Sequence, residues 1–436
     1  MVSRPAEDFM PHRTLVALVI GTVVALSGLG VQPTRVAAAA TPLSNAITFY
    51  GRGYGHGVGM SQYGARGRAL AGQPASTILA HYYAGTTLGS RDPATLVRVL
   101  VLTGFAATSA NPATIVGMGG PWSVDGISGS FPAKGKLTLA PTAAGATTWT
   151  LTVFAPTGTV LRRATVSSAV IVRPAPSIGL LRLASKPSTF NVYRGFLAVR
   201  LTTTAMVINH VAVDDYLRGV VPMEMPASWP SEALKVQAIA ARSYALSHIH
   251  PATGTFELYD DTRSQVYRGQ LGEQPATDAA IAATSGSILL SGSSVANALF
   301  HSSDGGWTEN NENVFVSSSG AIVAGPVSYL RGASDRAADG TSYDKTSPYA
   351  TWKTATYTKA QLSAFFATDS RTNVGTISGL DLSKRGVSRR LISVTLVGSA
   401  GSKTVSGDVF RSVFNAASPA ADPLFRGNLF DLTPIP

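Results

Sequence analysis

The sequence predicts an α+β fold, mixed and mainly antiparallel, with a β-rich first part and one helix buried in its core. Three observations predict it. Short β-type runs broken by Gly, Pro, Ser and Thr fill residues 94–210, a run free of glycine and proline follows at Ala233–Leu246, and no solenoid period or long linker divides the chain. With 436 residues and 45% apolar content, the chain is long enough to bury a large core.

Each element has a local reason. Leu96–Thr103, LVRVLVLT, reads as a strand, and KLTLA, WTLTVFA, AVIVRP and FLAVRLTTT continue the pattern. Trp122, close to Gly119 and Gly120, is either a sugar-stacking platform or a buried turn aromatic. In the helical run, Pro230 suits a first helical position, and Ser231 and Glu232 put polar and acidic groups in the first turn. Its alanines, Ala233, Ala238, Ala240, Ala241 and Ala245, admit close neighbours, while Leu234, Ile239 and Leu246 supply bulk. Gln237 and Arg242 are polar exceptions that either satisfy loop carbonyls or orient a nearby group or ligand. Further helices are expected at Ser61–Ala71, Ser76–Tyr83 and Lys359–Ala367, and further strands at LISVTLVG and KTVSG.

Glycine occupies every second position from Gly51 to Gly59. An extended chain there presents one face without side chains and another bearing Arg52, Tyr54, His56, Val58 and Met60. A sugar ring, another backbone or a helix would fit the bare face. No offset matches GxGxxG, so a dinucleotide site has no support.

The formal charge is +11 and cysteine is absent, which excludes disulfides, lipoprotein attachment and thiolate metal sites. A basic protein suits a polyanionic partner, yet no Lys/Arg run interleaved with aromatics points to nucleic acid. Met1–Ala40 has the pattern of an export signal, with an uncleaved membrane anchor as the alternative. Residues 41–93 then form the glycine-rich segment and 94–436 the main domain.

The candidate catalytic group is Glu224. It stands between Pro222 and Pro226 and beside Met223 and Met225, with Val220, Val221 and Trp229 close by. Apolar surroundings solvate a carboxylate poorly, raise its pKa and suit it to proton donation. The alternatives are a turn cap or an ion pair with Arg218.

The stretch VAVDDYLRGVVPMEMPASWPSEALKVQAIAARSYAL resembles the central signature of the SpoIID/LytB family, cell-wall proteins that include sporulation lytic transglycosylases and an amidase enhancer. The resemblance implies that Glu224 is the catalytic acid/base. GHGVGMSQYGA and the later HYYAGT also resemble family segments, which usually follow the rest of the domain. Here they precede it, so the order is expected to be permuted, with the N-terminal segment packed beside strands of residues 390–432 and Tyr54 and His56 as groove candidates. His56 serves equally as a buried hydrogen-bonding group.

Residues 260–269, DDTRSQVYRG, match a family segment that often carries two zinc-binding cysteines, absent here. No cofactor is therefore expected; a zinc alternative would have to use Asp260, Asp261, His248 and His250. The retained QVY assigns Gln265 and Tyr267 to glycan contact. HSSDGGWT, matching HSSxGGxT, assigns His301, Ser302, Ser303, Gly305, Gly306 and Thr308 to the groove facing Glu224. Asp304 and Phe315 depart from the usual residues there. The resemblance thus implies an exported protein acting on peptidoglycan glycan strands, either a lytic transglycosylase or a non-catalytic enhancer partnered by a cell-wall amidase. Glycoside hydrolysis with water would need a second carboxylate, for which Asp214, Asp215, Asp304 and Glu309 are the candidates.

Overall fold

Strand alternation in the first half builds two sheets around one core. A computed structural model describes residues 40–176, 178–250 and 254–436; the export-signal reading lies outside them. The seven-stranded sheet runs in the order Leu258–Tyr259, Leu96–Phe105, Ala205–Ala212, Phe196–Leu201, Ala169–Pro174, Trp122–Val124 and Ile127–Phe131. All of its pairings are antiparallel except that of Leu258 with Val99. A six-stranded antiparallel sheet contains Lys136–Pro141 and Trp149–Phe154. Inward residues of both, including Val99, Val199, Val207, Leu139, Leu151 and Trp149, share one apolar cluster. Trp122 is buried and donates from Nε1 to Pro132 O, so the stacking-platform reading gives way to a buried aromatic, which opens a strand rather than a turn.

Five helices matter for the site: α1 (Gln62–Leu70), α2 (Ala75–Tyr82), α3 (Val213–Arg218), α4 (Val221–Glu224) and α5 (Ser231–Ser247). Helix α5 is the expected buried helix, one residue longer at its C-terminus than Leu246. Pro230 sits at its N-cap with ψ 140°, not at its first turn. Ala233, Leu234, Val236 and Ala240 of α5 pack with Ala65, Ile78, Leu79, Val58 and Met60 in a second cluster. Thus the glycine segment and α1–α2 cover one side of α5.

The glycine segment is not the flat strand that alternation suggested. Gly53, Gly55, Gly57 and Gly59 have φ of +74°, +104°, +86° and +69°, a region in which side chains are strained. Every second residue is glycine because the chain curls, and the curl brings it against the backbone of residues 299–305. A Cβ on Gly59 would stand 2.1 Å from Leu299 O. Another backbone, rather than a sugar, occupies that side.

The N-terminal segment does pack beside the C-terminal strands. Tyr50–Gly51 pairs with Phe430–Asp431, and Thr41 pairs with Leu380. Phe49 lies among Phe410, Phe414, Phe425 and Phe430 in a third cluster, its ring centroid 5.1–5.9 Å from theirs. No helix among the described residues is long and apolar enough to cross a membrane.

Candidate active site

Glu224 ends α4, a single turn between the buried Val220–Val221 and Met225. Pro222 restricts that turn, and the Glu224 and Met225 amides bond to Val220 O and Val221 O. The side chain is half-buried. Its Oε1 accepts the Val266 backbone N–H at 3.1 Å, and Oε2 accepts from Gln62 Nε2 at 3.5 Å. Burial raises its pKa above the ordinary glutamate range, and these two hydrogen bonds act in the opposite direction. Its charge acts on Tyr216 and Tyr244, whose phenols burial pushes upward. Arg218 is not its partner: that guanidinium bonds Asp278 at 2.8 Å and Glu273 at 3.1 Å.

Gln62, the first residue of α1, escaped the sequence reading. Alternation singled out even positions up to Met60, but the extended segment ends there. Ser61 caps a helix, accepting the Gly64 N–H at 3.1 Å, and turns Gln62 toward α5. There Gln62 Nε2 also reaches Gln237 Oε1, at 3.3 Å. Gln237 therefore acts on Glu224 through Gln62. Tyr63 follows in sequence, its ring 4.8 Å from that of Trp229, over which Arg66 lies at 5.5 Å.

The QVY segment holds the glutamate by its backbone. Gln265 is buried and its Oε1 accepts from Tyr216 OH; Tyr267 is buried and donates to Asn209 Oδ1 at 2.8 Å. Neither side chain has an exposed face, and the segment meets Glu224 through the Val266 N–H. Arg242 is likewise corrected. It is fully buried, paired with Asp214 at 2.6 Å and bonded to Ser287 O at 3.0 Å, which leaves it to fasten α5.

The HSSDGG segment lies beside this centre: Phe300–His301 runs parallel to Met60–Ser61, with His301 opposite Ser61. Most of its assigned groove groups face inward. His301 is buried and bonds Val58 O through Nδ1. Ser303 Oγ donates to Asp344 at 2.6 Å, Gly305 N to the same carboxylate at 2.7 Å, and Gly306 N to Asp304. Thr308 exchanges hydrogen bonds with Ala333. These residues build the wall of the site rather than its surface, and Ser302 alone stays half-exposed. His56 is the hydrogen-bonding alternative: Nδ1 accepts from Val58 N–H, which leaves Nε2–H to donate to Phe300 O, and burial lowers its pKa to about 4. Tyr54 is 38% exposed and stacks edge-on against Tyr349, with Arg426 over both rings.

None of the alternative carboxylates serves Glu224. Asp214 holds Arg242 and Ser285, and Asp215 lies between Arg194 and Arg218 at 4.0 and 3.9 Å. Asp304 is buried against Asp344, and Glu309 is enclosed by donors from Asn310, Asn313, Val387 and Ser388. The zinc alternative does not fit either. Asp260 is paired with Lys186 and Asp261 with Arg263, His248 bonds Tyr244 O, and no metal-binding cluster of three or more His, Asp or Glu occurs among the described residues. Two surface hollows, of 360 and 250 Å³, lie elsewhere, around Arg173–Phe196 and Leu100–Lys186.

With this geometry in view, comparison with known proteins becomes specific. Residues 202–290, which carry Glu224, Gln237 and Val266, match the family model described as stage II sporulation protein. Over these residues the chain is similar to the SpoIID/LytB family. It is 31% identical over 231 residues to stage II sporulation protein D of Bacillus subtilis, covering 49% of this chain and 60% of that one. It is 37% identical over 148 residues to the amidase enhancer of the same organism, covering 33% of this chain and 20% of that one. Stage II sporulation protein D of Bacillus amyloliquefaciens is 33% identical over 153 residues, 31% of this chain and 42% of the relative. The chain thus spans between a fifth and three fifths of these relatives. The SpoIID/LytB match covers the centre of the site, whereas Gln62 enters from outside the family-model region.

Proposed function

We propose that this protein is exported to the cell wall and remodels peptidoglycan as a lytic transglycosylase, with Glu224 as its acid and base. The observation that carries the reading is a solitary, half-buried carboxylate with a raised pKa, its alternatives all engaged elsewhere. Glu224 protonates the oxygen joining N-acetylmuramic acid to N-acetylglucosamine, and the bond from that oxygen to C1 breaks. The muramyl C6 hydroxyl attacks C1 and yields its proton to Glu224. The products are a 1,6-anhydromuramyl end and a free sugar hydroxyl, with no water consumed. An internal nucleophile removes the need for the second carboxylate that hydrolysis requires. The packing of the N-terminal segment on Phe430–Asp431 supports the accompanying reading of a permuted family order.

The match to an amidase enhancer favours a second reading, a glycan-binding protein that stimulates a cell-wall amidase. Incubation of the purified protein with sacculi, with and without stem peptides, followed by mass spectrometry separates the two. Anhydro products that disappear in Glu224→Gln support the enzyme. Intact glycan, bound equally well by the wild type and Glu224→Gln, overturns it in favour of the enhancer.

A further inference from the structure

The two oxygens of Glu224 are held differently. Oε1 faces the Val266 N–H at 3.1 Å, and a backbone amide only donates, so this oxygen is an acceptor in both protonation states. The carboxyl proton therefore resides on Oε2. That oxygen faces Gln62 Nε2, another donor, which cannot take the proton from it.

Gln62 is itself constrained. Its single Nε2 spends one hydrogen toward Glu224 and the other on Gln237 Oε1 at 3.3 Å. Gln237 is fully buried, and its own Nε2 has no hydrogen-bond partner. Keeping a buried amide with an orphaned donor is costly unless its oxygen has work to do. Helix α1, which carries Gln62, is seated rigidly: a Cβ on Gly64 would lie 2.1 Å from Asp335 Oδ2 and Tyr82 OH, and one on Gly67 would lie 2.0 Å from Tyr343 O.

We propose that Oε2 of Glu224 delivers the working proton, and that Gln62, braced by Gln237, is the positioning residue that takes up the negative charge left behind. The inference rests on the acid/base reading of Glu224 above. The Gln62 Nε2–Oε2 contact is long, at 3.5 Å, and an Oε2 that carries its proton is a poor acceptor for the amide. When the proton passes to the leaving oxygen, the carboxylate draws the amide into a charge-assisted hydrogen bond. The return of a proton from the attacking hydroxyl to Oε2 loosens it again. The brace keeps the amide nitrogen turned toward Oε2 throughout. The titratable groups on which the Glu224 charge acts are Tyr216 of α3 and Tyr244 of α5, whose phenols burial pushes upward.

The test measures the Glu224 carboxyl directly, by ¹³C NMR titration of glutamate-labelled protein, with the signal assigned by its loss in Glu224→Gln. Gln62→Leu is expected to raise the titration midpoint by about one unit, the equivalent of one hydrogen bond to a charged group. Gln237→Leu, at the far end of the brace, is expected to shift it the same way by less. In turnover, Gln62→Leu is expected to lower kcat about 100-fold with KM nearly unchanged, and to extend the alkaline limb of the pH profile. An unchanged midpoint in either folded variant overturns the proposal. Because the titration needs no turnover, a wild type that leaves glycan intact refutes the enzyme reading alone, while an unshifted midpoint refutes the role of Gln62 alone.

Discussion

Replacing Glu309 by glutamine separates a structural carboxylate from a catalytic one. The side chain is fully buried. Its Oε1 accepts from Asn310 N at 2.9 Å, Asn313 Nδ2 at 2.9 Å and Val387 N at 3.0 Å; its Oε2 accepts from Ser388 N at 2.9 Å and Ser388 Oγ at 2.6 Å. An amide must place its NH₂ at one of these positions. The less damaging choice is Oε2, where the Ser388 hydroxyl rotates to become an acceptor, but the Ser388 N–H still loses its partner and faces another donor. One lost bond to a charged group plus one stranded buried donor amounts to about 2–4 kcal/mol. That is a large share of the roughly 5–15 kcal/mol typical of a folded domain. Urea unfolding at pH 7 measures it, with the expected result a lower midpoint at unchanged slope. A loss below about 1 kcal/mol refutes the reasoning. So does a variant of wild-type stability that no longer cleaves glycan, because Glu309 would then be the second carboxylate of a hydrolase.

Two further predictions concern pH. Burial raises the Glu224 pKa in the folded state, so its contribution to stability is fully present below the unfolded value and is lost as pH rises through the folded one. Glu224→Gln should therefore gain thermal stability over the wild type on going from pH 4 to pH 8, and a constant difference between the two proteins would contradict the assignment. Asp304 is a stronger case: burial, with the neighbouring Asp335 and Asp344 charges, pushes its carboxyl well up, while hydrogen bonds hold Asp344 low, so a protonated Asp304 donates to Asp344. Asp304→Asn keeps a donor for Asp344 and removes the titration. The wild type should lose stability relative to this variant as pH rises, at up to about 1.4 kcal/mol per unit; parallel pH curves from calorimetry would rule out the shared proton.

Much of the architecture was legible because its causes are local. Strand alternation at Leu96–Thr103 and Phe196–Thr204, and the alanine-rich run after Pro230, record which face each element buries. Glu224 between two prolines is likewise a local signal, and the stretch around it carries the resemblance to the SpoIID/LytB signature that the match over residues 202–290 supports. Assignments carried over by position were less secure. They named polar residues of HSSDGG and QVY as glycan contacts, but a motif does not record the direction of a side chain. Thr308 turned inward because a buried loop must satisfy its own backbone groups, Ser303 turned to the buried Asp344 carboxylate, and Tyr267 found Asn209.

By itself, then, the sequence determined the α+β class, the buried helix and the acid candidate, since each depends on residues within a few positions of one another. Only the tertiary structure decided what surrounds that acid. Gln62 reaches Glu224 across 162 positions of chain, and Val266 contributes a backbone N–H that has no residue-type signature. Whether Glu309 was free to act depended on how many donors the packed loops turned toward it, and whether Asp304 was depended on its burial beside Asp335 and Asp344; both are properties of the folded neighbourhood rather than of the letters.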